Sequence, residues 1–182
     1  MNGLYLSTLP FSAKVFCTLF LVGIGCGAIA AAVQAATAVG LTPAEVEASL
    51  APEMPMTHLG HGHGSSEREI DLSEISTASK VWIRTPLLIQ TSHTHLFGQT
   101  LIAGLCGLIF LFASLGDRTK ALVIALPFIG TLLDIGGMWL SRCVWTPFSV
   151  LVIAGGSLFG LGYLLITLIS FHQLWLKKEA RA

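Results

Sequence analysis

The sequence predicts an all-α fold, an integral membrane four-helix bundle with one long periplasmic loop. Three observations carry that reading. Of 182 residues, 53% are hydrophobic and only 11% charged, with a mean hydropathy of +0.76. A soluble domain carries roughly 25% charged residues. Four apolar runs approach the roughly 20 residues that a bilayer-spanning helix needs. Finally, the polar breaks after the second and third runs are short, whereas the break after the first is long.

The first span, "VFCTLFLVGIGCGAIAAAVQAA", runs from Val15 to about Ala36. Its small residues and single preceding lysine also fit a secretory signal. Its length, and the G-x-x-x-G spacing of Gly23 and Gly27, favour a retained anchor. The second span starts at His93 and is uncharged to Leu115, thinned by Gly104 and Gly107. The third runs from Ala121 to about Leu140 and is interrupted by Asp134. The fourth runs from about Phe148 to Phe171, with Gly156 and Gly160 repeating the close-contact spacing. "GDRTK" (116–120) and "SRCVWTP" (141–147) are tight connections that set neighbouring helices antiparallel.

These elements divide the chain into an N-terminal anchor or signal segment (1–37), a loop with short helices (38–92), a three-helix bundle (93–174) and a tail (175–182). Lys and Arg mark the cytoplasmic side of a bundle. With both termini inside, the inner face holds Lys14, Arg118, Lys120, Lys177, Lys178 and Arg181, against Arg68, Lys80, Arg84 and Arg142 outside. The expected placement is therefore N-in and C-in, with 38–92 periplasmic. Trp139 and Trp145 at one end and Trp175 at the other fit interfacial belts.

In the loop, "TPAEVEASLA" reads as a short helix with Thr42 as its cap and Pro43 at its first position. "KVWIRTPLLIQ" suits a segment lying on the membrane surface. Between them, "MPMTHLGHGHG" offers Met54, Met56, His58, His61 and His63. Thioether and imidazole suit copper, and imidazole alone suits zinc or nickel. A solvated Gly/His linker is the plainer alternative. The four cysteines have no C-x-x-C spacing, which argues against a disulfide framework or zinc ribbon.

His93 and His95 stand about 200° apart on a helix. Thr91 or Ser92 as N-cap would place both in the first turn. His95 and Gln99 share a face. Asp134 is an ionisable residue inside a span, which marks it as a functional candidate that needs a partner. Gln99 falls at a similar depth, so His95, Gln99, Asp134, Met138 and Arg142 are expected to converge near the outer surface. Such a cluster admits three uses: metal ligation with a carboxylate orienting a histidine, haem ligation with Arg142 beside a propionate, or a polar clamp locking two helices. A proton pathway is a further alternative.

"SHTHLFG" followed by an apolar helix resembles small bacterial inner-membrane proteins that open a span with H-x-H-L-x-G. It is also distantly similar to the histidine-bearing helices of the haem–copper oxidase and nitric oxide reductase superfamily. The resemblance spans residues 91–172. It implies a role near respiratory electron transfer, with His93 and His95 as ligands; Gln99, Asp134, Met138 and Arg142, placed nearby by depth and periodicity, would support them. The chain has too few spans and in-span histidines for a catalytic oxidase subunit. The expected protein is a respiratory-chain-associated subunit of the bacterial inner membrane holding haem or copper and meeting other membrane or periplasmic redox subunits. The alternatives are an accessory subunit without a cofactor and a copper-handling membrane protein. No nucleophile–base pair, phosphate loop or paired carboxylates occurs, so the reading leans away from an enzyme. No Lys/Arg cluster offers a face to nucleic acid.

Overall fold

The structure is a computed structural model that describes residues 5–51 and 83–177. Its elements in chain order are α1 (Phe11–Ala38), α2 (Pro43–Leu50), α3 (Thr85–Leu111), α4 (Asp117–Cys143) and α5 (Ser149–Phe171). A 3-10 turn at Leu6–Thr8 precedes α1, another at Thr146–Phe148 leads into α5, and a π turn at His172–Leu176 ends it. α1, α3, α4 and the α5 segment are each long and apolar enough to cross a membrane. The protein is an all-helical, multi-pass membrane protein.

Two of the boundaries differ from the sequence reading, each for a local reason. α3 begins eight residues before His93, capped by Arg84 with Pro86 in its first turn. Proline suits a first turn because the amide it lacks would have no helical partner there. The end of "KVWIRTPLLIQ" is thus the first turns of a span and not a surface strip. Thr91 and Ser92 are interior residues and not caps. At the other end of the hairpin, α4 starts at Asp117 with Gly116 as its N-cap, so the turn lies before "GDRTK" and not across it. An acidic first residue suits the positive end of the helix dipole.

The short helix α2 forms as its sequence suggests. Glu45 N donates to Thr42 Oγ1 (3.3 Å) while Glu45 Oε2 accepts from Thr42 N (3.1 Å) and Leu41 N (2.9 Å). That reciprocal box satisfies amides that the first turn leaves unpaired. Just before it, Gly40 at φ 111° ends α1, with its amide on Ala35 O at 2.9 Å. Only glycine adopts that backbone without strain, and it closes the helix end.

Two apolar clusters hold the bundle. At the end near the termini, Leu6, Leu21, Cys106, Phe110, Ile166 and Leu174 are fully enclosed or nearly so. At the opposite end α2 folds back, and Val46 and Leu50 pack with Ile83, Leu88 and Met138. Ile83 N donates to Ser49 O at 3.0 Å, tying α2 to the approach to α3.

α4 and α5 make the closest helix pair. A Cβ built on Gly155 would lie 2.3 Å from Asp134 N, and one on Gly130 would lie 2.5 Å from Phe159 N. Gly137 meets Val152 N at 2.7 Å and Gly162 meets Pro127 Cδ at 2.5 Å. Each helix therefore presents two glycines seven residues apart, almost two whole turns, on one face. Small residues let backbones approach where lipid supplies no hydrophobic drive between helices. Most of the glycines in the recognised spacings make no such contact within the chain. Gly23, Gly27, Gly104, Gly156 and Gly160 have nothing within 4 Å of a built Cβ. Of the six glycines singled out in the sequence, Gly107 alone packs within the chain, against Ile124 Cγ2 at 3.2 Å.

Candidate functional site: a polar seam between two spans

The helix period decides what the two histidines do. Both lie about three turns inside α3, so the 200° between them is fully expressed. His93 is exposed and its ring lies against Phe97, with centroids 4.9 Å apart. His95 turns the other way, with Nδ1 at 3.7 Å from Asp134 Oδ2. One turn deeper, Gln99 Nε2 donates to the same Oδ2 at 3.3 Å. The helix sends the His93 and His95 rings to different faces. Among the described residues, no three His, Cys, Asp or Glu side chains stand together as a metal-ion group.

Asp134 is buried, at 6% exposure, by the same glycine face that joins α4 to α5. A carboxylate in such a place needs hydrogen bonds, since taking it from water unpaired is costly. Gln99 supplies one such bond from the neighbouring span, and the His95 ring stands beside the same oxygen without bonding to it. Towards the outer end the seam continues: Trp139 Nε1 donates to Ser92 Oγ (2.9 Å), and Ser92 Oγ donates to Leu88 O (2.7 Å). Arg142 Nη2 donates to Ile83 O, holding the start of α3 against the end of α4.

Of the five residues expected to converge, the structure joins His95, Gln99 and Asp134. Met138 is instead absorbed by the apolar cluster with Leu88, Ile83 and α2. Arg142 reaches the backbone at Ile83 and does not form an ion pair with Asp134. Met54, Met56, His58, His61 and His63 lie outside the described residues. Ser92 and Trp139 are members of the seam that sequence reasoning assigned other tasks, a cap and an interfacial anchor. Their antiparallel register with Gln99 and Asp134 was the available signal.

Depth explains why the apolar run starts at His93 although the helix starts earlier. At about 1.5 Å per residue, α3 is about 40 Å long, about 10 Å more than a hydrocarbon core. Counted from Leu111, a core about 30 Å thick ends near Thr91. His93 and His95 therefore lie in the outermost turns of the apolar layer, close enough to headgroups and water for an imidazole.

Four long apolar helices, two of them stitched by interhelical side-chain bonds, define a multi-pass membrane protein. Residues 84–181, more than half of the chain, match the model of the Aq_1264_TM family, described as a transmembrane helical domain, and the chain belongs to that family. The match takes in α3, α4, α5 and the whole polar seam. No curated protein and no solved structure gives a match.

Proposed function

We propose that the protein is an accessory subunit of a bacterial inner-membrane complex, N-in and C-in, in which the in-span histidine serves helix packing. The observation that carries this reading is the convergence of His95 and Gln99 on Asp134, with His93 directed away from them. The seam makes α3, α4 and α5 a fixed unit. α1 is attached chiefly at one end, where Tyr163 Oη donates to Leu21 O at 2.5 Å and Trp175 Nε1 to Thr18 Oγ1 at 3.0 Å. Beyond that end α1 is largely exposed, and Gly23 and Gly27, like Gly156 and Gly160 on α5, face outward. Glycines that do no packing within the chain suit approach by a helix of another subunit.

The test is Gly156→Leu in the native membrane. Its side chain enters open space, so the folded chain is expected to keep its stability while recovery of co-purifying subunits falls several-fold. Unchanged recovery, with the variant folded, overturns the reading.

A second reading keeps one specific support. His93 is exposed at the edge of the apolar layer, with its ring against Phe97. A respiratory-chain-associated role with haem or copper would use that imidazole together with donors from outside the described residues. Copper handling would draw on the loop donors Met54, Met56, His58, His61 and His63.

A further inference from the structure

The opposite end of the bundle carries a second polar construction that the seam does not use. The π turn after α5 swings Gln173 inward, where it is 5% exposed and its Oε1 accepts from Ser114 N (2.7 Å) and Ser114 Oγ (3.1 Å). This joins the α3–α4 turn to the end of α5. Lys177 then reaches back, with Nζ at 2.5 Å from Ser114 Oγ. Between the two elements lies an open cleft of about 470 Å³. Its polar edge is Ser114, His172 and Lys177, and its apolar wall is Leu115, Leu168 and Ile169. That volume is within the usual range for a small-molecule site, about 300–1,000 Å³.

The surroundings say what kind of ligand suits it. Trp175, packed edge-on against Phe11 with centroids 6.1 Å apart, marks this level as the membrane interface. Asp117, at the start of α4, pairs with Lys120 at 3.2 Å. Among the described residues no carboxylate pairs with Lys177, so the cleft has an ammonium group and an imidazole at its mouth. Below them, the walls lead along α5 towards the acyl region. A cationic rim above an apolar wall is complementary to a phosphate headgroup above a chain, and basic residues at this level are the known physical basis for attraction to anionic lipid.

We propose that this cleft binds one anionic glycerophospholipid, with its phosphate at Lys177 and His172 and the start of an acyl chain along Leu168 and Ile169. The site is independent of the accessory-subunit reading.

The experiment is native mass spectrometry of the full chain in mild detergent, titrated with phosphatidylglycerol, phosphatidylcholine or inorganic phosphate. One phosphatidylglycerol is expected to be retained in preference to phosphatidylcholine. Lys177→Gln should lower that affinity about five-fold, corresponding to about 1 kcal/mol for one basic residue near the surface. Lys177→Arg should restore it, and Arg118→Gln, on the same face but outside the cleft, should leave it unchanged. A melting temperature shared by all variants separates lost binding from lost folding. Equal retention of the two lipids overturns the proposal, as does indifference to Lys177→Gln in a folded variant. Displacement of the lipid by millimolar phosphate would show a free-anion site and also overturn it.

Discussion

Gly155→Leu is expected to break the α4–α5 pair and cost about 3 kcal/mol or more, whereas Gly156→Leu should change stability by less than about 0.5 kcal/mol. The two positions are adjacent in sequence and chemically identical, so the contrast isolates packing geometry. At Gly155 a Cβ would meet Asp134 N at 2.3 Å and Gly130 O at 2.7 Å, both backbone atoms that no rotamer change can move. At Gly156 nothing lies within 4 Å. Relief at Gly155 requires α4 and α5 to separate. Reversible unfolding in mixed micelles, followed by far-UV circular dichroism, measures both variants. Equal stabilities would mean that the glycine face is not where α4 and α5 meet.

Asp134→Ala should have effects of opposite sign on two equilibria. Insertion of α4 into a bilayer should improve by about 2.5 kcal/mol, the cost of an aspartate at mid-span. Packing of the inserted helices should worsen, because Gln99 and His95 lose the carboxylate they face. Interhelical hydrogen bonds in membranes average about 0.6 kcal/mol and reach about 1.7. A double-mutant cycle of Asp134→Ala with Gln99→Ala should therefore give a coupling in that range, and Asp134→Asn should retain most of it. The 3.3 Å bond is direct, so a coupling indistinguishable from zero would remove the clamp from the account.

Much of the architecture was legible because hydropathy reports lipid contact. The four spans, the antiparallel turns and the Thr42 cap of α2 all follow from local pattern. The true start of α3 was not, because a span's apolar limit and its helical limit are separate boundaries. The first is set by the bilayer near Thr91, the second by Arg84 and Pro86 outside it. That error moved the histidines from a loose first turn into regular helix and so changed which of them meets Asp134. The glycine face was missed for a related reason. G-x-x-x-G is a familiar spacing, but Gly130 with Gly137, and Gly155 with Gly162, use a two-turn spacing that is equally face-preserving. Of the site, Asp134 with Gln99 and His95 was visible from depth and periodicity alone. Met138 and Arg142 were not separable from it, because their ends depend on where α2 and Ile83 return to the bundle.

The proposed role of His95 is in the seam, and neither histidine of α3 is expected to be a ligand. The measurement that tests it most directly is a visible spectrum with elemental analysis on the full chain in mild detergent, beside the His93→Ala/His95→Ala variant. Neither protein is expected to show a Soret band, and both should carry the same metal content. A Soret band or stoichiometric copper that disappears in the variant would contradict that expectation and establish His93, His95 or both as ligands.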